Sequence, residues 1–222
     1  MSEDQNREIR PCLIFLNGEI EDKKNVIEVA RFCRARGGAI LCADGGLKQA
    51  LKLKIIPDLV IGDMDSLPRP LPGLRFKRPV FVCDFDENSS DFEKTLLWVL
   101  ERGFKTVFVC GVLGGGLDHA LVNIAMMERF GLKMRMVMLG RGRGIFLPEG
   151  LYEFALSKGE RFGLLALEKA MVSLQGARYG LKEEVLSSPG RGLGNTAEGP
   201  VSVQVHQGKI WFFSDEARIG LK

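Results

Sequence analysis

The chain has 222 residues, of which 45% are hydrophobic and 27% are charged, and its formal net charge is +3. This length is enough for one large domain or two small ones. The small net charge argues against a strongly basic surface for nucleic acid, and no apolar run is long enough to cross a bilayer. Because the N-terminal segment 1–10 is polar and lacks the apolar core of a signal peptide, we expect a cytoplasmic protein that binds neither nucleic acid nor membranes.

The first part of the chain alternates apolar runs, which predict strands, with segments of helical periodicity. Strands are predicted at 12–18, 39–46, 79–86, 106–111 and 134–140. Helices are predicted at 25–38, 91–103 and 117–131. Continuous apolar strands separated by helices are typical of a mainly parallel sheet covered by helices on both faces. We therefore predict a Rossmann-like α/β domain over residues 1–145.

The pattern changes after about residue 145, where short segments and frequent glycines replace the strand–helix alternation. In 199–213, Val201, Val203 and Val205 alternate with polar residues and a His-Gln-Gly-Lys turn follows. This combination predicts a β-hairpin. We therefore predict a second, smaller domain over residues 146–222 that is all-β and sandwich-like.

Carboxylates follow several of the predicted strands. Asp63 and Asp65 stand directly after an apolar run that ends at Gly62. In a parallel α/β sheet, ligands bind beyond the carboxyl ends of the strands, so side chains at these positions gather on one rim. The acids expected on this rim are Asp44, Asp63, Asp65, Asp84 and Asp86. Asp91 begins a predicted helix for which Ser90 is the expected N-cap.

A cluster of acids on one rim predicts a cation site, because the carboxylates repel one another unless a cation holds them. Oxygen ligands suit Mg²⁺, which usually also binds substrate phosphates. The glycine-rich segment 111–119 follows a predicted strand and would present backbone N–H groups to such phosphates. Each feature alone also has an ordinary explanation, such as an Asp-Gly turn or an acid favoured by a helix dipole. The sequence has no GxxxxGK[ST] motif, and no GxGxxG follows a strand, which argues against P-loop and dinucleotide sites.

The five cysteines form no CxxC pair. Four of them fall in strand-like apolar runs, namely Cys12, Cys42, Cys83 and Cys110. We expect these to be buried, reduced thiols. The chain has only two histidines, which argues against a zinc site built from His and Cys.

Several segments, in order and in rough spacing, resemble the motifs of thiamine pyrophosphokinases. ADGG (43–46), PDLVIGDMDS (57–66), SSDFEK (89–94) and GGGLDHALVNI (114–124) resemble the family's DGG, PDxxxGDxDS, TDxxK and GGRxDHxxxNI. In the second domain, GARYGLKEEVL, GLGNTAEG and VSVQVHQGKIWFF are similar to GLKYxL, GxSNxxxG and a closing strand pair. The resemblance spans nearly the whole chain, and PDxxxGDxDS is its most specific signal.

The resemblance implies a homodimeric enzyme, with its active site between subunits, that transfers a diphosphoryl group from ATP to thiamine and releases AMP. It implies an acidic group that binds Mg²⁺ and ATP, formed by Asp44, Asp63, Asp65 and Asp91. It assigns catalysis to Asp63, Asp65 and Asp91, with Asp65 or Asp91 as the proton acceptor. Further ATP-binding positions implied in this way are Gly45, Ser66, Ser90, Lys94, Gly114, Gly115 and Asp118. The positions implied for thiamine are Gly194, Asn195 and Trp211, although Trp211 is equally well explained as a cross-strand packing residue.

Two positions depart clearly from the family pattern, and Ser90 in place of the family's threonine is a milder change. Gly116 stands where the family has an arginine, and Gly194 stands where it has a serine. We hypothesise that Arg141 or Arg143, in the GRGRG segment 140–144, replaces the missing arginine at the phosphates. The alternative is a solvated basic loop.

These departures leave other functions open. The chain could be a related diphosphokinase with another alcohol acceptor, such as a hydroxymethylpterin. It could also be a nucleotide- or thiamine-binding regulator without activity, although the presence of all four acids argues against this. An RNA contact through GRGRG is disfavoured by the small net charge and by the lack of nearby aromatic residues.

Overall fold

The computed structural model describes residues 10–66, 80–83 and 88–215. The chain divides into two compact units, residues 1–140 and 141–222. The second unit begins a few residues before the predicted boundary at 146. Asp84 and Asp86, which the sequence places on the rim, lie outside the described residues, as does nearly all of the N-terminal segment.

The first unit is a mixed α/β unit. Its described strands are β1 (Pro11–Phe15), β2 (Ala39–Ala43), β3 (Leu59–Gly62), β4 (Val80–Cys83), β5 (Thr106–Cys110) and β6 (Arg135–Gly140). Its described helices are α1 (Lys23–Ala35), α2 (Gly46–Lys52), α3 (Asp91–Glu101) and α4 (Leu117–Gly131). The strands pair in parallel in the order β6-β5-β1-β2-β3-β4. The described residues contain more strand than helix, and the Rossmann-like description with helices on both faces stays a prediction.

The core of this unit follows from its apolar sequence patterns. Every residue of β1 is buried, as expected for a central strand with neighbours on both sides. Helix α1 buries Val26, Val29, Ala30 and Cys33, which lie on one face at helical spacing. The Asp22 carboxylate begins this helix by accepting a hydrogen bond from the Asn25 N–H at 3.0 Å. None of the described helices is long and apolar enough to traverse a bilayer.

The strand order reverses beside β1, and this point positions the ligand cleft. From β1 the chain continues to β2, β3 and β4 on one side, while β5 and β6 lie on the other. The segments that follow β1 and β5 are joined by two hydrogen bonds, Leu16 N–H to Cys110 O at 2.9 Å and Gly18 N–H to Gly111 O at 3.1 Å. A Cβ at Gly18 would collide with backbone carbonyl oxygens of the β5 segment, so a glycine is required there. In open parallel sheets, a crevice forms at such a reversal.

The second unit is built of antiparallel strands. They are β7 (Gly142–Leu147), β8 (Gly150–Phe154), β9 (Arg161–Leu165), β10 (Ala170–Ala177), β11 (Leu181–Leu186), β12 (Asn195–Gln207) and β13 (Ile210–Ser214). Their order is β11-β10-β12-β9-β13-β7, and β8 also pairs with β12. A short 3₁₀ helix covers Pro189–Gly192.

The predicted hairpin at 199–213 is wrong in its pairing. The alternation is real, since Val201, Val203 and Val205 are buried. However, β12 pairs with β8, β9 and β10, whereas β13 pairs with β7 and β9. Instead, the stacked rings of Phe154 on β8 and Phe212 on β13 have centroids 3.9 Å apart, and this contact joins the two groups of strands. Alternation reveals a half-buried strand, but the choice of partner depends on contacts distant in sequence.

The cysteine prediction holds for three of its four positions. Cys12, Cys42 and Cys110 are free and buried, and burial raises the pKa of each thiol well above its usual value. Cys83 is exposed, so its predicted burial is wrong. It belongs to β4, whose Val80 is also exposed, at the end of the described strand order.

Candidate active site

Two neighbouring strand ends and one helix start bring the predicted acids together. Asp44 follows β2, and its N–H donates to the Ile61 carbonyl of β3 at 2.8 Å. Its φ of +33° is rare for a residue with a side chain. Gly62, the last residue of β3, lies between two acids, since a Cβ there would be 2.7 Å from Asp44 Cβ and 3.0 Å from Asp91 Cγ. The absence of a side chain at Gly62 therefore allows these carboxylates to approach.

Asp44, Asp63 and Asp65 form an acid cluster, in which one carboxylate oxygen from each residue lies within 4.8 Å of the others. A tight turn holds the cluster, with Met64 at a φ of +68°. The Asp65 N–H donates to Asp63 Oδ1 at 3.1 Å, and the Ser66 N–H donates to Asp44 Oδ2 at 3.1 Å. The Ser66 hydroxyl donates to Asp65 Oδ1 at 2.8 Å. Ser66 thus organises the cluster, which gives the predicted ATP-binding position a definite structural role.

Burial and mutual repulsion raise the pKa of two carboxyl groups in this region. For Asp44, burial is the main cause, hydrogen bonds from Ser66 oppose it, and the charges of Asp65 and Asp63 add to it. For Asp91, burial again raises the pKa most, while the nearby Lys94 lowers it. Among the described residues, Asp44 Oδ1 is buried without a hydrogen-bond partner. A buried carboxylate oxygen that lacks a partner, next to two further acids, fits a cation ligand.

Helix α3 presents Asp91 and Lys94 from its first turn. Ser90 is the N-cap, as predicted, and its hydroxyl accepts from the Glu93 N–H at 3.2 Å. Lys94 Nζ lies 3.5 Å from Asp91 Oδ1, and the Lys94 side chain is largely buried. The Asp91 backbone carbonyl also accepts a 2.7 Å hydrogen bond from the Thr95 hydroxyl. Asp91 therefore lies beside the acid cluster rather than within it, and it forms an ion pair with Lys94.

A cleft of about 640 Å³ in the first unit adjoins these acids. Six predicted site residues line it, namely Asp63, Ser90, Asp91, Lys94, Gly114 and Gly115. The segments that follow β1 and β5, at the reversal of strand order, also line the cleft. Gly45 is not among the lining residues, but a Cβ there would lie 2.9 Å from Cγ of Asn17, which does line the cleft.

The structure adds lining residues that the sequence did not assign to the site. Among them are Asn17, Gly18, Gly111, His119 and Asn123. Asp118 and His119 are both exposed, and of the two only His119 is among the lining residues of the cleft. The Asn-Gly pair that closes the first strand was a visible signal for Asn17 and Gly18. No local signal distinguishes Asp118 from His119.

The positions implied for thiamine lie in the second unit and have structural roles there. Trp211 is 2% exposed and packs against Phe146 and Phe213, at centroid distances of 5.6 Å and 6.1 Å. The Asn195 side chain accepts from the Tyr179 N–H at 3.1 Å and donates to the Tyr179 carbonyl at 2.8 Å. Gly194 has a φ of +72°, a backbone conformation that favours glycine. The roles of these residues toward thiamine stay predictions.

The two arginines of the GRGRG segment differ from each other. Arg141 is exposed, while Arg143 lies in β7 and is 3% exposed. The alternative of a solvated basic loop is therefore wrong for Arg143. Its replacement of the missing phosphate-binding arginine stays a prediction.

These features define a class of protein. It is an α/β protein whose parallel strand ends carry a carboxylate site suited to a divalent cation, next to a glycine-lined cleft. Residues 36–139 match the family model described as "Thiamin pyrophosphokinase, catalytic domain". Thiamine pyrophosphokinase 1 of Oryza sativa subsp. japonica is 24% identical over 180 residues, which are 68% of this chain and 68% of that protein.

Solved structures show the same fold. Thiamine pyrophosphokinase from Bacillus subtilis superposes with a TM-score of 0.76 at 16% identity, covering 92% of this chain and 98% of that one. Thiamin pyrophosphokinase from Candida albicans gives a TM-score of 0.74 at 16% identity, with 92% and 89% covered. Residues 36–139 therefore match the thiamine pyrophosphokinase family, and the fold of the chain is that of the solved structures of this family.

Proposed function

We propose that the protein is an ATP:thiamine diphosphokinase, which transfers the diphosphoryl group of ATP to the thiamine hydroxyl and releases AMP. In the balanced reaction, the thiamine oxygen bonds to the β-phosphorus while the bond from that phosphorus to the α,β-bridging oxygen breaks. The hydroxyl proton leaves to a base. The observation that carries the proposal is the acid cluster beside the cleft, in a chain of this family.

The residues present fit a magnesium ion held by Asp44, Asp63 and Asp65. All three offer oxygen ligands, and Asp44 Oδ1 is buried without a partner among the described residues. Asp91 lies outside this set of three and adds a further negative charge next to it. A bound Mg²⁺ would neutralise charge on the phosphate oxygens during transfer. Lys94 and the backbone of Gly114 and Gly115 would bind the polyphosphate, with the first unit acting as a Rossmann-like nucleotide-binding layer.

Asp91 is our choice as the proton acceptor. It lines the cleft, and its pKa is raised, which brings it closer to the pH at which a base works well. Asp65, the other candidate, accepts a hydrogen bond from Ser66 and belongs to the acid cluster. An ordinary alcohol has very little alkoxide at neutral pH, so the base must take the proton as the new bond forms.

We propose that the enzyme is a homodimer whose second unit contributes to the thiamine site. Support comes from α4, whose Leu117 and Leu121 are 77% and 60% exposed in the single chain. Val122, also on α4, is 45% exposed. An apolar helix face of this kind is typical of a protein–protein interface.

The reaction can be tested by incubating the protein with ATP, Mg²⁺ and thiamine and identifying the products by mass spectrometry. We expect thiamine diphosphate and AMP in equal amounts, and neither product from the Asp63→Ala/Asp65→Ala double variant. Thiamine monophosphate with ADP would contradict the proposal. AMP release with a hydroxymethylpterin, but not with thiamine, would replace thiamine as the acceptor.

The arginine hypothesis needs its own measurement. Arg141→Ala and Arg143→Ala are compared for turnover and for the KM for ATP. If either arginine serves the phosphates, its variant raises this KM. If both variants match the wild type, the hypothesis fails.

A further inference from the structure

Helix α3 carries two cleft residues, Asp91 and Lys94, in its first turn. Its apolar residues Phe92, Leu96 and Val99 are buried, and the helix packs on β2 and β3. Burial of apolar surface is non-directional, so it holds the helix on the sheet without closely fixing its rotation. A base, however, must come within hydrogen-bond distance of the proton that it takes. A directed contact near Asp91 is therefore needed to set its position.

Glu93 makes such a contact with the neighbouring helix α4. Its Oε1 accepts a hydrogen bond from Arg129 Nη1 at 2.6 Å, and the two side chains form an ion pair. Among the described residues, this is the only partner of the Glu93 carboxylate. The Glu93 side chain is only 15% exposed, so the loss of Arg129 would leave a largely desolvated charge without compensation. The ion pair is therefore more than a contact between two solvated side chains.

Both ends of this ion pair are supported by their own helices. Glu93 lies in the first turn of α3 and Arg129 in the last turn of α4, and each charge is favourable at that end of a helix dipole. The Arg129 guanidinium also lies over the ring of Phe130, with Cζ 5.7 Å from the ring centroid. Phe130 is buried in the core. The ion pair thus connects the start of α3 to a part of α4 that is anchored in the core.

We infer that Arg129 is a positioning residue for the reaction, which acts through Glu93 to fix the first turn of α3 and with it Asp91. Arg129 is not among the lining residues of the cleft, so its effect is on geometry. The inference rests on the proposed function, in which Asp91 accepts the proton of the thiamine hydroxyl. Proton transfer needs hydrogen-bond geometry, whereas the attraction between Lys94 and a polyphosphate tolerates a small displacement. Loss of Arg129 should therefore act on kcat more than on ATP binding.

Steady-state kinetics provide the first test, and α3 supplies a matched control. Arg102 follows the other end of this helix, where it pairs with Glu101 at 3.7 Å and lies over the ring of Trp98. We expect Arg129→Ala to lower kcat about tenfold and to raise the KM for ATP less than about threefold. Arg129→Lys should recover most of the loss, and Arg102→Ala should have the kinetics of the wild type. Equal kcat values in Arg129→Ala and Arg102→Ala, or an effect confined to the KM for ATP, would overturn the inference.

Double variants test whether Arg129 acts through the residues that we name. Glu93→Gln should lower kcat as Arg129→Ala does, and the two changes together should cost no more than either alone. In the Asp91→Asn background, Arg129→Ala should have no further effect on kcat, because the base that it positions is gone. Independent, multiplying losses in either combination would contradict this role.

Hydrogen exchange measured by mass spectrometry gives a readout that does not depend on turnover. The segment 90–96 should exchange faster in Arg129→Ala than in the wild type or in Arg102→Ala, while circular dichroism shows an intact fold. If the wild type forms thiamine diphosphate but neither exchange nor kcat responds to Arg129→Ala, the inference is wrong and the proposed function stands. If exchange responds but the wild type forms no thiamine diphosphate, the proposed function fails, and the assigned role in the reaction fails with it.

Discussion

The Asp91 carboxylate combines the properties that a catalytic base needs. It lines the cleft and lies next to the acid cluster without belonging to it. The positive charge of Lys94 lowers its pKa and so favours the ionised form. Burial raises its pKa, with further increases from the charges of Asp44 and Asp63. A carboxylate with a raised pKa is a stronger base once ionised.

Asp91→Asn should therefore lower kcat by about 100-fold or more, with a smaller effect on the KM for ATP. In the wild type, kcat/KM should fall as the pH is lowered through the pKa of Asp91 in the free protein, because the protonated group cannot accept a proton. Since that pKa is raised, the acidic limb should lie above the usual range of an aspartate. Steady-state kinetics across pH provide the measurement. Wild-type kcat in Asp91→Asn would contradict the role, and the exposed Glu28→Gln serves as the control.

Individual side chains show what the sequence could predict at this scale. The acids at 44, 63 and 65 were predictable, because strand ends of a parallel sheet meet on one rim. The choice between Asp118 and His119 was not, because it depends on backbone angles of the preceding loop, where Gly114 and Gly115 have φ values of +94° and +115°. Glycine adopts such angles freely, so the local sequence does not fix the direction in which the helix begins.

The end of strand β3 determines whether the acids can meet. Gly62 has a φ of +151°, a backbone conformation that strongly favours glycine. It lies between Asp44 and Asp91, and because it has no side chain, both acids can approach its backbone. An alanine here would have a strained backbone, and its methyl group would collide with both acids. One residue thus couples a strand end to the geometry of the site.

Gly62→Ala should destabilise the protein by more than about 2 kcal/mol and weaken its response to Mg²⁺. Gly140→Ala is the matched control, because Gly140 also ends a strand of the first unit but a Cβ there would meet nothing within 4 Å. Denaturant unfolding with and without Mg²⁺ measures both effects. The claim that Gly62 brings the acids together fails if the two variants are equally stable and respond equally to Mg²⁺.

At the level of elements, long periodic segments were predicted well. The helix predicted at 117–131 is α4, with the same limits. Helix α2 was missed, because its seven residues are too few to show a period. The pairing of β12 and β13 was also wrong, since a two-residue connection suggests a hairpin even where the chain passes between different partners.

For the whole molecule, the exposed apolar face of α4 is the feature that a single chain does not explain. His119 and Asn123 line the cleft, while Leu117 and Leu121, also one turn apart, are exposed. One helix therefore lines the cleft that we propose for the nucleotide and also carries the face that we assign to the dimer. In such an arrangement, association and nucleotide binding share a structural element.

The Leu117→Glu/Leu121→Glu double variant should be monomeric, because charged side chains would be buried in the interface. Light scattering after gel filtration should give twice the chain mass of 24.6 kDa for the wild type and a single chain mass for the variant. Leu132→Glu/Leu167→Glu is the control, since these leucines are 65% and 54% exposed and only Leu132 adjoins α4, at its C-terminal end. A wild-type protein that stays monomeric at all concentrations, or a double variant that stays dimeric, would refute this interface.

The most direct test of the account is the binding of a divalent cation by the acid cluster. Mn²⁺, observed by electron paramagnetic resonance in the presence of α,β-methylene ATP, replaces Mg²⁺ and reports its own binding. We predict that Asp63→Asn/Asp65→Asn weakens Mn²⁺ binding by about 100-fold while circular dichroism shows an intact fold. Wild-type Mn²⁺ affinity in this folded double variant would contradict the account.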